Sequence, residues 1–283
     1  MAHKTSTMRR ALALRPGAVS LAGYDSSARP LAPHGKQGKP KKLKTGAKQL
    51  AGLQERLWAE STQNGDRRVL LLLQGMDTAG KGGVTEHVVG AFGPIGVQYT
   101  AFKAPTPEEL RHDFLWRIKK HLPPPGVVGV FDRSHYEDVL VVRVHDLVSE
   151  AQWQARYDKI NAFEQRLAAQ GTTIIKCFLH ISFDTQRERL LARLGNPDKH
   201  WKFNEADITE RAHWADYVTA YEAVLERCNT EAAPWYIVPS DDKAYRNWAV
   251  AELMRETLED LDPKYPRPEL DVDTLRGRLA PPN

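Results

Sequence analysis

Gly75, Asp77, Lys81, Asp132 and Arg133 are the residues whose types and spacing could do chemistry together. Residues 75–83 read GMDTAGKGG and match Gly-x-x-x-x-Gly-Lys, the Walker A pattern that cradles phosphate. Gly75, Gly80, Gly82 and Gly83 let backbone N–H groups of the loop, with Thr78 and Ala79 inside it, close on an anion at a helix N-terminus. Lys81 would add a mobile point charge. Two features depart from the usual pattern. Gly82 stands where Ser or Thr would offer a hydroxyl to Mg²⁺, and Asp77 puts a carboxylate beside phosphates, a place that makes sense for a metal ligand or a proton transfer. A glycine-rich turn with a surface lysine is the alternative, but it does not explain why strand, loop and helix signals agree at this spacing.

Two further clusters bear on the same chemistry. The apolar run Val127–Phe131 ends in Asp132-Arg133-Ser134-His135-Tyr136-Glu137-Asp138. An aspartate closing a buried strand, in the manner of a Walker B segment, can hold Mg²⁺ directly or through water, and Arg133 could meet phosphate oxygens with its planar fork. Alone, Asp-Arg after a strand reads as a turn with a salt bridge; the loop upstream makes it a site. The second cluster is basic. A helix over about Asp184–Leu194 carries Arg187, Arg189 and Arg193, breaks at Gly195-Asn196-Pro197-Asp198, and leads to Lys199, His200 and Lys202. Near a phosphate cradle this reads as a lid that excludes water, with Arg193, Lys199 and Lys202 toward phosphate and His200 on the surface. The alternative is an exposed basic hairpin paired with acids such as Glu188.

The elements that must position these residues follow from periodicity. Val69–Leu73 has the uninterrupted apolar character of a strand buried on both faces of a parallel sheet. Further strands are expected near Val97–Phe102, Val127–Phe131, Thr173–His180 and Trp235–Val238. Helices are expected at about Thr45–Gln63, after a Thr106/Glu109 capping box with Leu110, Phe114, Ile118 and Leu122 on one face, at Glu150–Ala169, from an Asp207/Glu210 cap through Leu225, and through Tyr245 to Leu261. Strands alternating with helices predict an open α/β parallel five-stranded sheet with helices on both faces, three layers in all, the site lying at the carboxyl ends of the strands. Asp77, Lys81, Asp132 and Arg133 all fall there. Lys103 and Thr106 lie where an acceptor could enter, a capped helix start being the other reading.

The 283 residues allow one large domain with appendages. Residues 1–44 read as a basic, proline- and glycine-rich arm ordered by contact with the body or a second subunit, 45–265 as the domain with its lid around 184–215, and 266–283 as a tail wrapping the surface. The arm's lysine run, Lys36 to Lys48, could touch a polyanion or be a solvated lead-in. Net charge is +4, and Cys177 and Cys228 fit no metal or disulfide spacing, which suits a reducing cytoplasm. No apolar run approaches membrane-spanning length, and no signal-type core follows Met8-Arg9-Arg10, so neither membrane insertion nor export is expected.

GMDTAGKGG, AFKAPTPEELRHDFLWR, VFDRSHYEDVLVVRVH and NPDKHWKFNEADITERAHWADYVTAYE together resemble the second family of polyphosphate kinases, and more its members that accept nucleoside mono- as well as diphosphates. The resemblance covers roughly residues 45–265. It implies a P-loop kinase fold and phosphoryl transfer between inorganic polyphosphate and nucleotides, with Mg²⁺, or Mn²⁺ in its place. It maps Asp77, Lys81, Asp132, Arg133 and Arg193 onto catalytic positions, Asp77 and Asp132 being the metal-side carboxylates. It also implies a homo-oligomer, dimer or tetramer, and gives no reason to expect a nucleic-acid partner. The rivals are an ATP-dependent nucleoside monophosphate kinase and a polyanion-binding regulator without turnover.

Overall fold

At the centre lies β1 (Arg68–Gln74), whose residues Val69 to Leu73 are each no more than 1% exposed. In the computed structural model, which describes residues 7–15, 17–32 and 38–279 with 38–45 by backbone alone, this strand is flanked on both sides. The others are β2 (Val97–Ala101), β3 (Val128–Asp132), β4 (Thr172–His180) and β5 (Trp235–Pro239). All pairs are parallel and the order is β2-β3-β1-β4-β5. Register sets Leu73 beside Asp132 and Asp132 beside Ala101. The loop after β1, the turn after β3 and the end of β2 therefore open on one edge.

The helices are α1 (Met8–Leu12), α2 (Gly38–Ser61), α3 (Lys81–His87), α4 (Leu115–Lys120), α5 (Val141–Val144), α6 (Glu150–Ala169), α7 (Phe183–Leu194), α8 (Ala206–Ala212), α9 (Trp214–Arg227), α10 (Lys243–Leu261) and α11 (Val272–Leu279). α1, α2 and α3 gather on α10 on one side of the sheet, and α5, α6 and α9 form the layer on the other. The resulting three-layer α/β fold is that of the P-loop kinases, as expected.

Several elements differ from the sequence reading. The first long helix starts at Gly38 rather than near Thr45 and ends at Ser61; Pro40 falls in its first turn, where its missing N–H is not needed. The predicted helix through Leu110 and Leu122 is broken. The Thr106/Glu109 box forms, with Thr106 N–H donating to Glu109 Oε2 at 2.7 Å, but it starts only a 3₁₀ turn at Glu109–Arg111. Asp113 then accepts from Leu115 N–H at 3.1 Å and starts a new helix, leaving Leu110 69% exposed. The predicted 207–225 helix is likewise two, α8 and α9, meeting at His213. Asp207 with Glu210 does not cap the first of them; Asn204, in the turn just before it, accepts from Ala206 N–H at 3.1 Å.

The arm is docked where described. Met8, Leu12, Leu14 and Leu21 are buried, Met8 N–H donates to Glu256 Oε1 at 2.7 Å, and Ala13 bridges antiparallel to Tyr236, covering the outer edge of β5. Further along, Ser26 Oγ donates to Asp241 Oδ2 at 2.7 Å, and Arg29 pairs with Asp242. Of the lysine run, the side chains from Lys36 to Lys44 lie outside the described residues. The tail ends in a helix the sequence reading did not expect, α11, started by Asp271 accepting from Thr274 N–H at 3.0 Å.

Candidate active site

The phosphate loop is held open by arginines from elsewhere in the chain. Gly75 has φ 150°, and a Cβ there would sit 2.7 Å from the Leu179 carbonyl. Gly80 has φ 113°, and the space a side chain would need at Gly80 and Gly83 is filled by the Arg246 guanidinium from α10. Arg246 Nη1 donates to the Ala79 carbonyl at 3.0 Å, and Arg189 of α7 reaches the Thr78 and Ala79 carbonyls at 2.8 and 3.2 Å. Gln186 Nε2 adds a bond to the Asp77 carbonyl at 3.1 Å. With their carbonyls turned toward these donors, N–H groups of the loop can face an anion, although that of Ala79 donates to the Met76 carbonyl at 3.1 Å. Thr78, itself left-handed at φ 63°, keeps a buried Oγ1 with no partner among the described residues. Lys81 Nζ crosses the loop to the Gly75 carbonyl at 2.9 Å, and a Cβ on Gly82 would meet open space.

Across from the loop, Arg133 Nη2 lies 3.0 Å from Asp77 Oδ1, joining the end of β3 to the cradle. Arg133 is a left-handed residue, φ 64°, placed by its N–H on the Leu73 carbonyl at 3.0 Å. Burial opposes its charge, but Glu137, Asp77 and Asp132 around it hold its pKa above the ordinary arginine value. Asp132 Oδ2 accepts from Tyr99 OH at 3.2 Å; burial and the Asp132 charge push that phenol up to about 12, so it stays a donor. Burial raises the Glu137 carboxyl, against the pull of Arg133 and Lys81. The buried Gln74 amide, oriented to satisfy its neighbours, donates to Glu137 Oε1 at 3.1 Å and accepts from Ser134 Oγ at 2.9 Å. A cavity of about 150 Å³ opens here, lined by Gly75, Asp77, Arg133, Glu137, Trp214 and Tyr217, among others.

The α7–α8 excursion stands over this edge. Arg193 donates to the Lys202 carbonyl at 3.4 Å and lies 3.5 Å from Asp207. Burial and the nearby Asp77 raise the Asp207 carboxyl, so the excursion reaches within electrostatic range of the loop. Burial and the cations Arg189, Lys199, Arg246 and Arg193 lower the Lys243 pKa, so Lys243 sits among several positive charges, two of which, Arg189 and Arg246, bind the loop carbonyls. Lys199 and Lys202 are exposed, Lys202 lying over the Trp201 ring at 4.8 Å. His200 is a surface residue, as expected, bonding the Leu194 carbonyl at 2.8 Å. Lys103 is exposed on the loop after β2 and does not line the cavity; its carbonyl accepts from Arg117 at 2.8 Å.

Gly75 to Gly83, Asp77, Lys81, Asp132 and Arg133 thus meet on one edge, with Arg193 above them. Sequence reasoning missed Arg246, Lys243, Gln186, Tyr99 and Glu137 as parts of the site. Glu137 alone carried a signal, four residues past Arg133 of the strand-end pair and so about one turn along on the same rim.

A glycine-loop cradle opposed by a strand-end aspartate, on a parallel sheet of order β2-β3-β1-β4-β5, defines a P-loop phosphotransferase. The comparisons narrow the class. A family model described as polyphosphate kinase 2 matches residues 35–266. The AMP/ADP-polyphosphate phosphotransferase of Meiothermus ruber is 48% identical over 235 residues, 83% of this chain and 86% of that protein. The ADP-polyphosphate phosphotransferase of Rhodopseudomonas palustris is 46% identical over 236 residues, 79% of this chain and 80% of that protein. The crystal structure of polyphosphate kinase 2 from Arthrobacter aurescens TC1 superposes with a TM-score of 0.94 at 48% identity, covering 97% of this chain and 96% of that one. The chain belongs to the polyphosphate kinase 2 family.

Proposed function

We propose that this enzyme moves a phosphoryl group between inorganic polyphosphate and nucleoside di- or monophosphates at the edge where Asp77, Arg133, Lys81 and Asp132 converge. In the synthetic direction an oxygen of the acceptor's terminal phosphate attacks the terminal phosphorus of polyphosphate. The P–O bond to the shortened chain breaks, and its negative charge stays on that chain. Such a transfer asks for positioning and charge neutralisation rather than covalent catalysis. Lys81 and the loop N–H groups neutralise the transferring phosphoryl group, Arg133 orients phosphate oxygens, and Arg193 adds charge from above. The cations Lys199 and Lys243 suit a donor that carries about one negative charge per unit along its length. Asp77 orients the accepting phosphate.

The carboxylates also fit a divalent cation. Asp77 Oδ1 and Asp132 Oδ2 are engaged by Arg133 and Tyr99; among the described residues no protein group donates to their other oxygens, and no cluster of three acidic, His or Cys ligands occurs. That donor set suits Mg²⁺, or Mn²⁺, held by one or two carboxylates with the rest of its shell from phosphates and water, not a protein cage. When bound it would supply further charge neutralisation. Residues 184–215, whose Gln186, Glu210 and Trp214 line the cavity beside Asp77 and Arg133, act as a helical lid over the site. Buried, unpaired Cys177 and Cys228 suit a cytoplasmic setting. Exposed Val272, Leu275 and Leu279 on α11 suit a homo-oligomer.

The observation that carries the reading is the Arg133–Asp77 contact, because it brings the strand-end turn and the phosphate loop into one site. The test is nucleotide formation with polyphosphate as the only donor and AMP, ADP or GDP as acceptor, with and without Mg²⁺. Lys81→Ala and Asp132→Asn are expected to lower turnover by about 10²–10³. Wild-type turnover in either folded variant would remove this edge as the site.

A further inference from the structure

Behind the rim, four polar side chains are sealed in the core. Lys176 of β4, Glu164 of α6 and Tyr136 are each 0% exposed, and His135 is 1% exposed. Lys176 Nζ donates to Glu164 Oε2 at 2.7 Å, to Tyr136 OH at 2.8 Å and to the Cys228 carbonyl at 2.6 Å, which uses all three of its donors. Glu164 Oε1 accepts from Tyr136 OH at 2.8 Å and faces His135 Nε2 at 3.1 Å. His135 therefore carries its proton on Nε2, an assignment drawn from that contact, and its buried Nδ1 has no partner. A second proton there would be an unpaired buried donor. Burial works against the Glu164 charge, but Lys176 and His135 override it and keep the carboxyl below its ordinary value.

Stability does not account for such a network. Desolvating an ion pair and a histidine roughly cancels their attraction, and apolar groups of the same shape would hold the core as well or better. Its place in the chain suggests a use. His135 and Tyr136 follow directly on Arg133, whose left-handed backbone, φ 64°, persists only where its surroundings over-determine it. On the amino side of the turn Arg133 N–H is bound to Leu73; within it Ser134 Oγ accepts from Tyr136 N–H at 3.3 Å. On the carboxyl side the restraint is this network, which pins two consecutive side chains to α6, β4 and the end of α9.

We propose that His135, Tyr136, Glu164 and Lys176 form a positioning unit that fixes the strained turn and so aims Asp132, Arg133 and Glu137 at the phosphate loop. This rests on the reading of Asp132 and Arg133 given under Proposed function. None of the four touches substrate; they act through the turn.

The test compares Tyr136→Phe, which removes one hydroxyl and keeps the ring, and the double variant Lys176→Met/Glu164→Gln with Leu57→Ala, a cavity in α2 away from the turn. All are assayed well below their melting temperatures with polyphosphate and ADP. The network variants are expected to lose 10- to 100-fold in kcat with KM for ADP moving less than threefold, while Leu57→Ala keeps kcat within twofold at a comparable drop in Tm. Network variants whose kcat matches Leu57→Ala would overturn the proposal; if the double variant does not fold, Tyr136→Phe decides alone. Asp132→Asn, measured alongside, separates the two readings. An active Asp132→Asn defeats the site itself, whereas an inactive Asp132→Asn with a fully active Tyr136→Phe defeats only the positioning unit.

Discussion

Arg246 Nη1 donates to the Ala79 carbonyl at 3.0 Å, and that bond ties α10 to the phosphate loop across 167 residues of sequence. Burial and the neighbouring Arg189 lower the pKa of its guanidinium to about 10, against the pull of Asp242. Two buried cations side by side, both spent on loop carbonyls, show how much of the core is committed to presenting the loop's N–H groups outward.

The glycines of the loop should separate accordingly. At Gly80 a methyl group would enter the Arg246 guanidinium and the backbone would be strained at φ 113°; at Gly82 it would meet open space. Gly80→Ala is expected to lose at least tenfold in turnover and about 2–4 kcal/mol in stability. Gly82→Ala is expected to stay within about twofold and 0.5 kcal/mol. ATP formation and urea denaturation of the two variants decide it, and equal behaviour would show that the guanidinium does not set the glycine requirement.

Arg189 makes a second, independent case. It is 9% exposed and donates to the carbonyls of Thr78, Ala79, Ser240 and Asp241 at 2.8, 3.2, 2.6 and 2.9 Å. Arg189→Met leaves four carbonyls without their charged donor and should destabilise by about 2–4 kcal/mol. Arg189→Lys should recover only part of this, because an ammonium cannot span both pairs of acceptors as a planar fork does. Thermal melts of the three proteins provide the check; full rescue by lysine would count against the fork geometry.

These arginines also mark where the sequence stopped being legible. The apolar runs of β1, β3 and β4 and the glycine spacing announced themselves locally, and with them the sheet, the cradle and the Asp132-Arg133 turn. Arg189 and Arg246 sit in amphipathic helices where an arginine reads as surface charge, and nothing near them in sequence says that a distant loop carbonyl needs a donor. The helix breaks at Asp113 and His213 were hidden for a related reason. The apolar spacing continued through them, while the competing bond, Asp113 to Leu115 N–H at 3.1 Å, is a local side-chain choice that periodicity does not weigh. Lys176 was the least readable, a charge in mid-strand whose partners come from three other elements.

Asp138 gives the fold a signature in pH. Burial, against the pull of Arg156 at 3.1 Å, raises its carboxyl to about 6 from an ordinary 3.8. A carboxyl that holds its proton more tightly when folded stabilises the protein fully below the ordinary value, and that stabilisation is lost as pH rises through about 6. Between pH 4 and pH 7 the contribution is on the order of 2–3 kcal/mol. Asp138→Asn cannot titrate, so the stability difference between wild type and Asp138→Asn should shift toward the variant by that amount over this window. Urea denaturation at pH 4, 5, 6 and 7 tests it, and a difference that does not vary with pH would show that Asp138 titrates normally.

Tyr99 reaches Asp132 from the edge strand, its hydroxyl 3.2 Å from Oδ2, and with a pKa near 12 it donates at every working pH. A carboxylate beside a cation needs its orientation fixed by groups behind it, as metal ligands generally do. Tyr99→Phe removes that bond and leaves the ring, 46% exposed, in place. If Asp132 serves a divalent cation, the variant should require about 10- to 100-fold more Mg²⁺ for half-maximal turnover, with kcat at saturating Mg²⁺ changed far less. Titrating Mg²⁺ at fixed polyphosphate and ADP measures both. An unchanged Mg²⁺ midpoint with a large fall in kcat would instead give Tyr99 a role toward the acceptor.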